Sequence, residues 1–330
     1  MPRLTLLLCL LLTACGQEPE GGIPEKAWHM DVESPPPEWL SKTGIFDDLK
    51  TLEPSASMHI YSPPSPLWSN ATDKLRFLYI PDGQQIDTSA SDAWVFPVGT
   101  VLTKTFTMKK IEARRGTVAI ETRVMFRRRS GWEFAVYHWN TEGTEARLLS
   151  GNWAEVELRL SDSIGNELPY VIPGRLDCRS CHETQIGAPV IGVHPTNLDP
   201  QLSTREIFNV EPTPQALPAT SPEEARAMSY FLGNCAFCHH GGNRSNDNAS
   251  FSLLPADLIA NTVNVDTASS ASGVGVRVVP GAPDDSALYE AVVLARSGEY
   301  EGDFKPMPPV GVVRTDPEAS AIISEWIEGL

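Results

Sequence analysis

The chain holds two copies of Cys-x-x-Cys-His, Cys178-Arg-Ser-Cys181-His182 and Cys235-Ala-Phe-Cys238-His239. Two thiols separated by two residues can add across the two vinyl groups of one porphyrin, and the next histidine then sits under the iron as proximal ligand. The spacing therefore predicts two covalently bound haem c groups, with Cys178, Cys181, Cys235 and Cys238 as thioether donors and His182 and His239 as axial ligands. Two other chemistries use Cys-x-x-Cys. Zinc would draw four thiolates into one tetrahedron, and a redox dithiol would cycle between thiols and a disulfide. Neither needs a histidine directly after each pair, twice.

The sixth ligand decides what each iron does. For the second haem, Lys305-Pro306-Met307-Pro308-Pro309 presents one methionine on a proline-stiffened segment downstream of the attachment site. Met307 is the expected distal ligand, set against a reading in which it only packs in its loop. A His/Met pair raises the reduction potential and leaves no vacant position for substrate. The first haem is less defined. His194, in a Gly-Val-His-Pro loop, is one candidate distal ligand, and Met228 another, although Met228 reads more simply as core. Met58, His59, Met125 and His138 could be donated from upstream, and an open iron would be a place for chemistry.

The elements that must position these groups fall into two kinds, so that an α+β multidomain chain is expected. Short runs rich in β-branched and aromatic residues, at 75–80, 94–108, 117–126, 132–139, 154–160 and 168–172, are punctuated by turn residues such as Asp82-Gly83, Ser130-Gly131 and Gly165-Asn166. They predict an antiparallel β-sandwich or barrel-like domain over 55–175. Residues 176–220 carry the first attachment site. Over 221–330, Ser221-Pro222-Glu223-Glu224 opens a helix running toward Cys235, with a serine cap, a first-turn proline and glutamates that complement the dipole. Further helices are expected at 286–295 and 317–328, the last with Ala319, Ile322, Ile323 and Trp326 on one face. Three helices around a haem would make a class I cytochrome c domain, and 241–281, rich in Ser, Asn, Ala and Gly, would cover one porphyrin edge.

The amino terminus bears on compartment, because haem is attached in this way outside the bacterial cytoplasm. Residues 1–14 read as a lipoprotein-type signal peptide: one positive charge at Arg3, a mostly apolar run from Leu4 to Ala14, and Leu12-Thr13-Ala14-Cys15 at the end. Eleven residues are too few to span a bilayer but suit an export signal. The ending resembles a lipoprotein box, which implies cleavage before Cys15 and lipidation of its thiol; an ordinary secretory peptide is the alternative. Gly16 after the cysteine favours the outer membrane. Residues 15–54 read as a tether and lead-in segment with little periodicity. About 315 mature residues, with 41% apolar residues across the chain, suit two globular domains.

Several segments together resemble a family of exported bacterial diheme c-type cytochromes long described as conserved hypothetical proteins. They are Pro66-Leu67-Trp68-Ser69, Lys74 to Pro81, Phe96 to Leu102, Ile120-Glu121-Thr122-Arg123 and Trp139-Asn140, leading into Cys178-Arg-Ser-Cys181-His182. In the tail, Asn234-Cys235-Ala236, Arg277 to Gly281, Met307-Pro308-Pro309 and Glu325-Trp326-Ile327 are similar to the monohaem domain of many exported cytochromes. The resemblance spans nearly all of the mature chain. It implies an electron-transfer protein with a β-domain of unassigned role, and it supplies neither a substrate nor a distal ligand for the first haem.

Charge constrains the partners. The net charge is −16, and eight basic against nineteen acidic residues from Cys178 onward place −11 of it in the haem-bearing part. Such a surface repels nucleic acid and steers a cationic redox protein toward it. Basic clusters at Lys109-Lys110, Arg114-Arg115 and Arg127-Arg128-Arg129 read as solvated turns and strand edges, or as a dock for a polyanion. The favoured expectation is a lipid-anchored diheme carrier moving electrons between periplasmic or outer-membrane partners. The alternative is a peroxidase-like enzyme with an open first haem and His194 or Arg123 beside it; a subunit serving a periplasmic dehydrogenase is a third. No dinucleotide or phosphate-loop fingerprint is present. If Cys15 carries the lipid, Cys15→Ala should move the matured protein from the membrane to the soluble fraction on fractionation, and unchanged membrane retention would refute the anchor.

Overall fold

The computed structural model describes residues 27–90, 94–109, 117–154, 156–161, 167–182, 190–213, 215–240, 251–267, 275–297, 300–309 and 311–330. Cys15 and the expected leader lie outside them, as do Lys110, Arg114, Arg115 and part of the expected porphyrin-covering loop. No helix among the described residues is long and apolar enough to cross a membrane.

The fold is α+β. Among the described residues, ten strands occur in order: β1 (Phe46–Asp48), β2 (Glu53–Pro54), β3 (His59–Ile60), β4 (Asp73–Tyr79), β5 (Val101–Lys109), β6 (Thr117–Arg128), β7 (Gly131–Trp139), β8 (Ala146–Leu148), β9 (Val156–Ser161) and β10 (Glu167–Ile172). β3 to β8 form one open antiparallel meander, while β1–β2 and β9–β10 are separate two-stranded ribbons. The sandwich or barrel expected from the strand pattern thus takes a looser form. One six-stranded sheet is buried on both faces, and a ribbon and loops, rather than a second sheet, cover each.

Alternation along the strands sorts the side chains. Phe77, Tyr79, Val101, Val124, Phe126, Ala135 and Tyr137 face one way and pack with Trp28, Val32, Leu40, Ile45 and Phe46. The lead-in segment is therefore structural over 27–54: its widely spaced apolar residues, too aperiodic to read as an element, cover this face. Leu78, Leu102, Met125 and Phe134 face the other way, against Val190, Val193, Leu198, Leu202, Ile207 and Phe208. The β9–β10 ribbon extends that layer through Tyr170 and Ile172, packed with Met108, Ile120 and Val136.

Six α-helices follow among the described residues: α1 (Arg175–His182), α2 (Pro200–Ser203), α3 (Pro222–Asn234), α4 (Leu258–Thr262), α5 (Ala287–Tyr289, continued as a π-helical turn over Glu290–Leu294) and α6 (Pro317–Glu328). Ser221 caps α3 by accepting from the Glu224 amide at 3.1 Å, and the Glu224 carboxylate in turn accepts from the amide and hydroxyl of Thr220. Asp316 caps α6 in the same way, accepting from the Glu318 amide at 3.0 Å. The two long helices meet through Phe231 and Trp326, edge to face at 5.6 Å between ring centroids.

The helical part is strapped to the sheet by the segment before β4. The Trp68 amide donates to Asn234 Oδ1 at 2.6 Å, Ser65 and Ser229 hydroxyls meet at 2.7 Å, and Asn70 binds both the Gly311 carbonyl and the Val313 amide. Gly233 permits this approach, because a Cβ there would lie 2.7 Å from the Ser65 and Pro66 carbonyl oxygens. Gly233→Ala should therefore destabilise the protein by about 1–3 kcal/mol in chemical denaturation, the usual cost of overpacking; an unchanged midpoint would show that the strap yields freely.

Candidate haem-binding sites

Each Cys-x-x-Cys-His borders its own cavity. The first motif forms α1, which begins where the β9–β10 ribbon ends. Gly174 makes the junction possible, since a Cβ there would lie 2.5 Å from the backbone of Asn152 and Trp153. The Gly174 amide donates to Asp177 Oδ2 at 2.9 Å, and Arg175 Nε donates to Asn152 Oδ1 at 2.6 Å. At the far end, the His182 ring lies 5.7 Å from that of Phe134 on β7. Cys178, Cys181 and His182 then line a cavity of about 1590 Å³, open mouth included, between the sheet, the 61–69 strap and the loop at 190–197.

The second motif follows α3. The Cys238 and His239 amides both donate to the Cys235 carbonyl, at 3.0 and 2.9 Å, and Phe251 lies 4.5 Å from the His239 ring between centroids. Cys235, Cys238 and His239 share a cavity of about 990 Å³, open mouth included, with Met307. Met307 is held from both sides: its amide donates to the Ala291 carbonyl at 2.9 Å, and Arg296 donates to the Met307 and Pro308 carbonyls. The remaining wall is mostly apolar, with Phe231, Leu253, Val292 and Phe304 prominent.

Both cavities share Phe237, inside the second motif, and Pro308, next to Met307. Among the described residues, no disulfide joins the four motif cysteines. Burial pushes the Cys178 thiol up to about 11, with a smaller opposing influence from Arg123, and pushes Cys235 up to about 12.

The other candidate ligands are spread widely. Among the described residues, the first cavity has Met125 in its wall but not His194, whose Nδ1 lies 3.0 Å from Thr196 Oγ1. Met228 packs in the core between α3 and α6, and Met58 in the opposite face of the sheet. His59 and His138 stand on β3 and β7, outside both linings.

Sequence reading offered Arg123 beside the first haem but missed the polar floor to which it belongs. Arg76, Lys104 and Arg123 line it, and strand register sets them side by side, Arg76 opposite Lys104 and Lys104 opposite Arg123. The available signal was a cation in the middle of otherwise buried strands, as in Leu75-Arg76-Phe77-Leu78 and Thr103-Lys104-Thr105. Among the described residues, Arg123 alone of the three has a carboxylate: its Nε and Nη2 donate to the fully buried Glu121 at 2.9 and 2.6 Å, and the Tyr170 hydroxyl donates to the same group at 2.6 Å. Burial opposes the Arg123 charge, but Glu121 outweighs it and holds the guanidinium firmly protonated. Burial, reinforced by Glu121, raises the Tyr170 hydroxyl well above its ordinary range.

No protein-family model, curated protein or solved structure matches this chain. Tyr170→Phe removes one of the three donors to Glu121 and should cost about 1–3 kcal/mol in equilibrium unfolding. A loss below a few tenths of a kcal/mol would mean that Arg123 alone satisfies the carboxylate.

Proposed function

We propose that the chain is an exported diheme c-type cytochrome that carries electrons between partner proteins at the cell envelope, tethered by lipid at Cys15. One observation carries the reading. The two motifs lie in separate cavities that meet at Phe237 and Pro308, an arrangement with no use in a single tetrahedral metal site and a clear use in passing charge between two redox centres. The residues fit the group. Cys178 and Cys181 in one cavity, and Cys235 and Cys238 in the other, would supply thioethers; His182 and His239 would supply proximal imidazoles, and Met307 the distal sulfur of the second site. When bound, each haem supplies a one-electron couple near an apolar protein surface. The protein's own part is to orient and to exclude water. Arg296 and Ala291 fix the height of Met307, Phe251 and Phe134 brace the two histidines, and the helices α3, α5 and α6 read as the cytochrome c domain. The acidic surface favours a cationic partner.

A second reading, a peroxidase-like oxidoreductase acting at the first site, draws support from the greater volume and cationic floor of that cavity. Ferric electron paramagnetic resonance of the matured protein, with and without cyanide, separates the two. A carrier gives two low-spin haems indifferent to cyanide, and Met307→Ala converts one of them to high spin. A high-spin signal in the unaltered protein that cyanide abolishes favours the enzyme, and a chain that matures with no covalent haem refutes both.

A further inference from the structure

The cation row on the sheet is out of balance. Like charges directly opposite one another on neighbouring strands are destabilising, yet Arg76, Lys104 and Arg123 occupy three successive strands in one line. A fourth cation, Lys74, stands two residues before Arg76 and is tied down, its Nζ donating to the Leu67 and Thr72 carbonyls at 2.9 and 2.8 Å. Arg123 has Glu121. Among the described residues, the side chains of Arg76 and Lys104 have no hydrogen-bonded or ion-paired partner, although Arg76 is only 7% exposed. Asp177 is the carboxylate in the wall of this cavity, and it accepts from the Gly174 amide at the start of α1. Burial, compounded by Arg76 and Arg123, lowers the Lys104 ammonium to about 7, as expected of a cation placed without its counter-ion.

We propose that Arg76 and Lys104, with Arg123 behind them, form an anion-binding subsite of the first cavity that holds a carboxylate or small oxyanion. Two sources could supply that chemistry, a propionate of a haem bound at Cys178 and Cys181 or a free oxyanion entering the cavity. The cavity is larger than the one at Met307, about 1590 against 990 Å³ with open mouths included. The inference rests on the proposed haem at the first motif, and the experiment keeps the two apart.

The test uses the matured full-length protein, Lys104→Met and Arg76→Gln, with Lys104→Arg as the conservative control. Lys104→Met relieves like-charge repulsion and therefore should fold. Covalent haem is counted first: a first motif empty in the unaltered protein refutes the functional reading, independently of the subsite. With two haems present, optical redox titration and titration with nitrite and inorganic phosphate follow. A propionate as the bound anion predicts that Lys104→Met and Arg76→Gln each lower the first haem's potential, that Lys104→Arg restores it, and that added anions change nothing. A free oxyanion predicts a saturable spectral change of the first haem, weakened about tenfold or more by Lys104→Met. Potentials and anion responses that are identical in all four proteins overturn the subsite.

Discussion

The carboxylate of Glu121 is fully buried, and the position of the first Cys-x-x-Cys-His motif depends on how it is satisfied. Arg123, two residues along β6, grips it with two donors, and Tyr170 reaches it from β10. A buried ion pair contributes little net stability when complete, but losing one partner strands a charge in a poor dielectric at a cost of about 3–5 kcal/mol. That asymmetry makes the arrangement specific. Tyr170 has one place to go, so the β9–β10 ribbon is registered against the sheet, and four residues after Tyr170 the chain turns at Gly174 into the helix carrying Cys178. A residue far upstream thereby sets where the first thiols stand.

A second constraint joins the halves of the molecule. The strap at 65–70 hydrogen-bonds to α3 at Ser229 and Asn234 and to the 311–313 segment. These contacts hold the second motif and the Met307 loop next to the sheet. Phe237 and Pro308 can consequently belong to both cavity walls. The two cavities then differ in character. The one at Met307 is apolar, closed by a methionine whose backbone is clamped on both sides. The one at α1 has a cationic floor supplied by the sheet, so the β-rich part lines one motif's cavity as well as serving as scaffolding.

How much was legible beforehand depends on the range of the interaction. The helix ending before Cys235 was readable because its serine cap, first-turn proline and acidic first turn are all neighbours in the chain, and the terminal helix matched its expected bounds for the same reason. The middle strands were readable from β-branched and aromatic runs, but their partners were not, and a sandwich or barrel was expected where an open meander with flanking ribbons forms. Residues 27–54 read as a lead-in because Trp28, Val32, Leu40 and Ile45 are spaced by no regular period; each finds its own gap in the sheet face.

What the amino-acid order determined alone is the chemistry that needs only near neighbours: paired thiols with an adjacent histidine, a proline-stiffened methionine, helix caps and the leader pattern. Tertiary structure alone decided that Arg76, Lys104 and Arg123 stand in one line facing the first motif, that Met125 and not His194 enters the wall of that cavity, and that two cavities meet at Phe237 and Pro308. The reason is strand pairing. Side chains 28 and 19 residues apart become neighbours only when β4, β5 and β6 adopt one register, and a slip of a single residue would turn each of them to the opposite face.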